Sequence, residues 1–276
     1  MSTSRRFSIA DDLALAQRMA DIADAITLSR YQSLDLVIET KPDATPVTDA
    51  DKAVERALRD ILAAERPDDL VVGEEFGGVE AISEALQANP SAHYWVIDPI
   101  DGTKNFLRGI PIWATLIGLS NSANQVIAGV VSAPALSRRW YAGLGLGAHV
   151  AEVNALGRRE KRISVSKVSQ ISDAQLAYSD LIGWSNRTAA FLDLQKKVWR
   201  TRGFGDFWSH MLVAEGAVDI AIEPSLSLWD MAALEIIVLE AGGAFTNLDG
   251  VTGSHGGSLI SSNGAIHSQV LTELNK

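Results

Sequence analysis

The hydrophobic positions of the chain predict an alternation of helices and strands. Within residues 9–30, apolar side chains recur from Leu15 to Ile26 at spacings of four, three and four, the repeat of an amphipathic helix. Further helices are predicted at residues 47–65, 206–215 and 230–241. Short apolar runs between turn residues predict strands at 70–72, 94–97, 115–119, 126–132 and 218–222. An alternation of this kind predicts stacked α and β layers.

Two segments lack a clear repeat of hydrophobic positions. Residues 134–170 are rich in Gly, Arg and Ser, and we interpret them as strands and loops that join two halves of the chain. The acidic, Ala-rich residues 79–91 predict a surface loop or a short helix.

Composition narrows the possible functions. The 276 residues predict one large domain or two intimately packed halves, and 47% hydrophobic residues are enough for a sizeable core. The chain has no cysteine, which excludes disulfides and thiolate metal sites and favours a reducing compartment. A net charge of −10 argues against nucleic acid as a partner, but it permits a phosphorylated small molecule if cations mediate the contact. The first residues, MSTSRRFSIADD, predict neither a signal peptide nor a membrane span.

The stretch WVIDPIDGTKNF brings two carboxylates, Asp98 and Asp101, to the end of an apolar run. Asp-Pro and Asp-Gly are common turn formers, so a simple turn is one interpretation. The other is a metal site at the lip of a sheet, where α/β proteins bind ligands. Gly102 and Thr103 follow at a turn that can open a helix and offer N–H groups to phosphate oxygens. Spacing alone leaves both interpretations open.

Three other acidic stretches strengthen the metal interpretation. GEEFGG at 73–78 follows the predicted strand at 70–72, and neighbouring strands end at one rim of a sheet. Thr48 or Asp49 can cap the next helix, whereas Asp51 shares the inward stripe of that helix. Asp230 opens a predicted helix, and taken alone it is best explained as a cap.

Several common sites are missing from the sequence. No window matches an EF-hand calcium loop, a phosphate-binding P-loop or the nucleophile elbow of a serine hydrolase. The five histidines have no ligand spacing and are each predicted to lie on the surface or in a loop.

Taken together and in order, these stretches resemble the inositol monophosphatase family of Mg²⁺-dependent phosphatases. GEE at 73–75, DPIDGTKNF at 98–106 and WD at 229–230 are similar to the family's three signatures, and the likeness extends over about residues 10–270. The resemblance implies a layered αβαβα sandwich of the sugar-phosphatase type. It implies an N-terminal α+β half, residues 1–155, with the GEE and DPIDGT motifs, and a C-terminal α/β half, residues 156–276, with the WD motif.

The resemblance also implies a role for each matching residue. It assigns one Mg²⁺ to Glu74, Asp98 and the carbonyl of Ile100, a second to Asp98, Asp101 and Asp230, and a weaker third to Asp51 with Glu74. Thr103 would orient the attacking water, the Gly102 and Thr103 amides would hold the phosphate, and Glu74, or Thr103 backed by Asp51, would accept the proton of the water. The family also implies a homodimer, and the predicted location is the cytoplasm.

Much of the remaining sequence resembles the histidinol-phosphate phosphatases of actinobacteria, through KPDATPVTDAD at 41–51, RGIPIWATLI at 108–117, RGFGDFW at 202–208 and AEGAVDIAIEPSLSLWD at 214–230. This branch implies L-histidinol phosphate as the substrate. Its ammonium would meet Glu223, at a family position that contacts the alcohol part of the substrate, or Asp206.

The other contacts with this substrate stay open. Phe204, Phe207 or Trp208 would offer a flat apolar surface, although each aromatic is better explained as core or dimer contact. Arg202 would meet the phosphate or pair with a local acid. The alternatives are an inositol phosphate, a sugar phosphate or a nucleotide 3′-phosphate as substrate, and a catalytically silent metal- or ligand-binding homologue.

Overall fold

A computed structural model describes residues 7–42, 44–89, 92–154 and 157–276 of the chain. The α-helices of these residues are α1 Ile9–Arg30, α2 Asp49–Glu65, α3 Val79–Ala88, α4 Thr103–Leu107, α5 Thr188–Lys197, α6 Asp206–Ala214, α7 Leu228–Glu240 and α8 His267–Leu274. The strands are β1 Ile38–Thr40, β2 Pro46–Thr48, β3 Leu70–Gly73, β4 Tyr94–Asp101, β5 Ala114–Ser120, β6 Val126–Ala133, β7 Arg138–Gly143, β8 Gly147–Asn154, β9 Gly157–Arg162, β10 Gln175–Tyr178, β11 Arg200–Gly203, β12 Ile220–Glu223, β13 Ala244–Thr246 and β14 Leu259–Ser262.

The larger sheet has seven strands in the order β3-β4-β5-β6-β7-β8-β9. Only the β3–β4 pair in it is parallel, and the other pairs are antiparallel. Side chains alternate between the two faces of β4, as the pleat requires. Trp95 and Ile97 contact one apolar cluster, and Tyr94 and Val96 contact another on the opposite face. Both faces of this sheet are therefore covered.

The smaller sheet has five strands in the order β11-β10-β12-β14-β13. Strand β10 runs parallel to both β11 and β12, and β14 is antiparallel to its neighbours. The carboxyl ends of β10, β11 and β12 therefore lie side by side, at the same end of the strands. A separate hairpin of β1 and β2 precedes α2.

The layers alternate between helices and sheets. Helices α1 and α2 pack on one face of the larger sheet, and α6 and α7 fill the space between the two sheets. Helices α5 and α8 cover the outer face of the smaller sheet. The order is helix, sheet, helix, sheet, helix, which confirms the predicted αβαβα sandwich.

Two glycines let α7 lie unusually close to the larger sheet. A Cβ atom added to Gly118 of β5 would lie 3.0 Å from the Cβ of Ala232, and one added to Gly129 of β6 would lie 2.6 Å from Cγ2 of Ile236 and 2.9 Å from the carbonyl oxygen of Ala233. Any larger side chain at either glycine would push the helix outward. The contact therefore sets where the start of α7 lies relative to the end of β4.

The strands predicted within residues 134–170 are confirmed as β7, β8 and β9. They do not merely connect two halves of the chain, because they complete the larger sheet. Residues 79–91 contain the short helix α3. The predicted boundary between the halves falls at residues 155 and 156, outside the described residues, and it stays a prediction; β9, which follows that boundary, still pairs with β8.

The predicted surface position is wrong for two of the histidines. His210 is fully buried on α6, and its Nδ1 lies 2.8 Å from the hydroxyl of Ser261. His267 is buried between the hydroxyls of Thr246 and Ser262. Burial lowers the pKa of His210 to about 3, so its ring is neutral and acts as a polar core residue.

None of the helices in the described part of the chain combines the length and the apolar character that crossing a lipid bilayer requires.

Candidate metal centre and active site

Three carboxylates converge between the two halves of the sandwich. Asp98 and Asp101 lie at the end of β4, and Asp230 lies in the first turn of α7. One carboxylate oxygen from each lies within 4.8 Å of one oxygen from each of the other two. Asp98 is almost completely buried. This geometry suits a hard divalent cation, which prefers oxygen ligands.

The local sequence explains why β4 delivers both aspartates. The register with β5 shifts between Asp98 and Asp101, so the strand is irregular where the two carboxylates turn toward the cavity. The hydroxyl of Thr115 donates to the carbonyl of Pro99 over 2.7 Å and secures this irregular turn. Gly102 then adopts a left-handed conformation, with φ +81°, and α4 begins.

Glu74 reaches the same edge from the neighbouring strand. It follows β3, which is parallel to β4, and its N–H donates to the carbonyl of Ile97 over 3.2 Å. Glu74 lines a cavity of about 290 Å³ together with the aspartate cluster. The lining also includes Thr45, Pro46, Ile100, Gly102, Thr103, Lys104, Asp206 and Leu226. The two predicted acidic strand ends are thus brought together.

Lys41 forms ion pairs with both glutamates of the GEE motif. Its Nζ lies 2.6 Å from Oε1 of Glu74 and 2.6 Å from Oε1 of Glu75. Partial burial alone would lower the pKa of Lys41, but the hydrogen bonds to the two glutamates outweigh it and raise the pKa. In the sequence, Lys41 stands out only as the first residue of KPDATPVTDAD, which gives no sign of its pairing with Glu74 and Glu75.

Glu55 holds the GEEF loop and was also missed. Its buried carboxylate accepts hydrogen bonds from the N–H groups of Glu75 at 2.7 Å and Phe76 at 3.2 Å, and from Nε of Arg59 at 2.8 Å. A Cβ atom at Gly73 would lie 2.0 Å from Oε1 of Glu55, so only glycine leaves room for this carboxylate. The signal in the sequence was a glutamate four residues after Asp51, on the same inward stripe.

Asp51 and Asp230 each stabilise the start of a helix, and Asp230 also belongs to the carboxylate cluster. Asp51 accepts hydrogen bonds from the N–H of Thr48 at 2.8 Å and from its hydroxyl at 2.5 Å, which makes a capping box at the start of α2. Asp230 accepts one from the N–H of Ser227 at 2.7 Å, in the capping box of α7. The cap interpretation of Asp230 and its presence in the cluster are therefore compatible.

Burial and mutual repulsion dominate the electrostatics of the site. Burial, followed by the charges of Glu74 and the neighbouring aspartates, raises the pKa of Asp98 well above its usual range, and burial with nearby acids does the same for Asp101. Burial raises the pKa of Asp230 to about 7 and that of Asp51 to about 6. One oxygen of Asp98, Oδ1, is buried and has no hydrogen-bond partner among the residues that the structure describes. Such a set of carboxylates is stable in its charged form only with cations between them.

The hydroxyls next to the predicted proton-accepting residues have partners in the structure. The hydroxyl of Thr103 donates to the carbonyl of Ile100 over 2.9 Å, and Asp51 accepts from the hydroxyl of Thr48. The capping box of α2 occupies one oxygen of Asp51. That Asp51 backs Thr103 in the reaction stays a prediction.

The substrate-side residues are placed unequally. Glu223, at the end of β12, is buried, its Oε2 accepts a hydrogen bond from the hydroxyl of Ser179, and its Oε1 has no partner. Burial raises the pKa of Glu223 to about 8. Asp206 lines the cavity, its Oδ2 lies 3.3 Å from Nδ2 of Asn105, and burial raises its pKa to about 6. Arg202 is exposed, donates to the carbonyl of Thr201, and is not among the residues that line the cavity.

The three aromatics of RGFGDFW are also placed unequally. Phe207 is fully buried and Trp208 packs against the same core cluster, so neither offers a free face to a ligand. The N–H of Phe207 instead donates to Oδ2 of Asp101 over 2.7 Å. Phe204 is 52% exposed and is the aromatic of this segment that remains open to a ligand.

The fold and this site define a class of protein, an αβαβα sandwich with a carboxylate cluster that could hold a metal ion beside a small cavity. Residues 10–276 match the inositol monophosphatase family. The chain is 53% identical to a histidinol-phosphatase of Mycobacterium tuberculosis, covering 96% of this chain and 98% of that protein, and 52% identical to one of Streptomyces coelicolor, covering 96% and 97%. It superposes on the IMPase of Thermotoga maritima with a TM-score of 0.81 at 27% identity, covering 96% of this chain and 97% of that one.

The chain therefore belongs to the inositol monophosphatase family, as its signatures predicted. It is a phosphomonoesterase of a metal-dependent family, and it acts on a phosphorylated small molecule.

Proposed function

We propose that this protein hydrolyses L-histidinol phosphate to L-histidinol and phosphate, with Mg²⁺ as the metal. The observation that carries the proposal is the identity of 53% and 52%, over 96% of the chain, to two proteins named histidinol-phosphatase. The convergence of Asp98, Asp101 and Asp230 within 4.8 Å supports the metal. We further propose a cytoplasmic homodimer with no nucleic-acid partner.

The residues at the site fit the metal. Glu74, Asp98 and the carbonyl of Ile100 would hold one ion, Asp98, Asp101 and Asp230 a second, and Asp51 with Glu74 a weaker third. When bound, Mg²⁺ neutralises phosphate oxygens and lowers the pKa of a bound water. The unpartnered Oδ1 of Asp98 supports this assignment, since it is a buried acceptor without a donor.

The protein groups then position the reactants. The hydroxyl of Thr103 donates to Ile100, so its free lone pairs can accept a hydrogen bond from water and orient it. Glu74 would take the proton of that water. The amides of Gly102 and Thr103, at the left-handed turn before α4, would hold phosphate oxygens.

For the substrate, we propose that Glu223 receives the ammonium of L-histidinol phosphate. Its Oε1 is buried without a partner, and Asp206 adds a second carboxylate on the same side. Phe204 would offer a flat surface to the imidazole. Arg202 would contact the phosphate from outside the cavity.

The direct test is phosphate release from L-histidinol phosphate and from myo-inositol 1-phosphate, each with Mg²⁺ and with a chelator, and with Asp98→Asn as the inactive control. We expect Mg²⁺-dependent release with a strong preference for L-histidinol phosphate. A preference for the inositol ester would overturn the substrate and keep the metal assignment. Release that a chelator does not reduce would overturn the metal.

The role of Glu223 is tested separately with Glu223→Gln. Loss of a charge-assisted contact is worth about 1.4 kcal/mol or more, so the KM for L-histidinol phosphate is expected to rise about tenfold. The KM for glycerol 2-phosphate, which has no ammonium, should change little. Equal losses on both substrates would contradict the assignment.

A further inference from the structure

A second cavity lies at the other end of the central helix layer. It has a volume of about 480 Å³, and its walls come from α7, the β5–β6 turn and the loop after β13. Its lining includes Glu235 and Glu240, which lie five and ten residues beyond Asp230 on α7. At about 1.5 Å of rise per residue, these side chains start roughly 8 and 15 Å along the helix from the metal cluster. This cavity is therefore separate from the candidate active site.

The cavity contains a buried carboxylate that is only partly compensated. Glu235 is 7% exposed, and its Oε2 is buried and makes no close hydrogen bond among the described residues. Burial raises the pKa of Glu235, and the weak hydrogen bonding from the hydroxyl and the N–H of Ser254 offsets only part of that rise. Burying an incompletely satisfied carboxylate costs free energy, which a ligand of complementary charge would recover.

The surroundings of Glu235 favour a cation. None of the described residues that line the cavity is Lys or Arg, so no positive side chain competes for the carboxylate. The carboxylate of Glu240 is already used, because it accepts hydrogen bonds from the N–H groups of Gly145 at 2.8 Å and Gly147 at 2.7 Å. The pKa of His255 is lowered by desolvation, so its ring is neutral at pH 7.

The remaining walls match a short organic molecule. The hydroxyl of Tyr94 donates to Oδ1 of Asn124 over 2.9 Å and lies 3.3 Å from Nε2 of His255, so the polar rim is preorganised. Ile236 and Phe245 are buried core residues that supply apolar surface to the lining. A bare metal ion would find two carboxylates here, and Glu240 is already used by the Gly145 and Gly147 amides, so there are too few ligands for a Mg²⁺ or Ca²⁺ site.

We propose that this cavity binds a small organic cation, with an ammonium group against Glu235 and a short apolar chain along Ile236 and Phe245. The site is independent of the phosphatase substrate, because it shares no lining residue with the metal cavity.

The probe for this site is n-butylammonium chloride, with n-butanol as the neutral match. Binding is measured by saturation-transfer NMR in saturating Mg²⁺ and inorganic phosphate, so that the acidic cluster is occupied. Wild-type protein is expected to bind n-butylammonium at least about tenfold more tightly than n-butanol, the factor that one charge contact supplies. Equal affinity for the two probes, or no binding of the ammonium, would overturn the proposal.

Two variants locate the contact. Glu235→Gln keeps the shape and removes the charge, and it should abolish the preference for the ammonium. Glu240→Gln removes the other carboxylate of the cavity and should leave the preference within about twofold of wild type. Equal loss in both variants would mean that the general negative potential attracts the probe, and it would overturn a site at Glu235.

Discussion

Replacing Asp98 by Asn removes one of three negative charges that converge in the candidate metal centre while nearly preserving the shape of the side chain. In the absence of metal, these charges oppose folding, because their oxygens lie within 4.8 Å of one another and Asp98 is buried. When metal is bound between them, the same charges favour folding. Asp98→Asn is therefore expected to stabilise the metal-free protein and to destroy both the response to Mg²⁺ and the activity.

The magnitude follows from Coulomb's law. Two unit charges 4.8 Å apart repel by about 3.5 kcal/mol at an effective dielectric constant of about 20. Proton uptake relieves part of this repulsion, since the pKa values of Asp98 and Asp101 are raised well above their usual range and that of Asp230 is raised to about 7. The relief is present at low pH and is lost as the pH rises through these raised values, at up to about 1.4 kcal/mol per pH unit per group.

The benefit of Asp98→Asn should therefore grow with pH. At pH 8.5 in EDTA we expect a gain of about 3 kcal/mol, which raises the Tm of a chain of this size by about 6 °C. At pH 5.5 the gain should be much smaller, because the wild-type cluster keeps its protons.

The measurement is thermal unfolding followed by circular dichroism, at both pH values, with EDTA or with Mg²⁺. Asp60→Asn, on the exposed face of α2, is the matched control and should behave like wild type. Wild-type protein should gain more from Mg²⁺ at pH 8.5 than at pH 5.5, since metal and protons compete for the same oxygens. A lower Tm of Asp98→Asn in EDTA at pH 8.5 would refute the reasoning, because it would make Asp98 a stabilising structural residue.

Two further substitutions test the surroundings of the metal centre. Gly73→Ala places a Cβ 2.0 Å from the Glu55 carboxylate and should displace it. The free energy of unfolding should fall by about 2–4 kcal/mol, and kcat should fall by more than about tenfold. Unchanged kinetics would show that Glu55 does not position the loop. Lys41→Met removes the ammonium that pairs with Glu74 and Glu75; the Mg²⁺ concentration for half-maximal activity should fall several-fold, whereas a rise would show that Lys41 assists the metal.

Much of the metal centre could be predicted from the sequence because strand ends share an edge. Asp98 and Asp101 end one apolar run and Glu74 ends another, and the parallel pairing of β3 and β4 brings them together. The place of Asp51 on an inward helical stripe predicted that its side chain is buried, and the structure confirms this. These are local signals, and they needed no knowledge of the rest of the fold.

The remaining features depend on packing that is not local. Strand β9 has the polar sequence GRREKR and lies at the edge of the larger sheet. Because an edge strand can be polar, it lacks the apolar pattern by which the other strands were predicted. His210 looks like a surface residue in the sequence but is enclosed where α6 is covered by β14. The role of Glu55 depends on the missing side chain of Gly73 and on the fold of the loop, because the Glu75 amide that donates to Glu55 lies twenty residues further along the chain.

The bare glycines under α7 have a consequence for how the site tolerates change. Gly118 and Gly129 have no side chain, and Ala232, Ala233 and Ile236 of α7 therefore pack directly against the sheet. If the helix moved along the sheet by one turn, a larger side chain would clash with the backbone of a strand. Gly118 and Gly129 thus determine how far the Asp230 carboxylate lies from the sheet, although they are not among the residues that line the cavity. Substitutions in the loops around the cavity would leave this contact unchanged, and with it the position of Asp230 relative to Asp98 and Asp101.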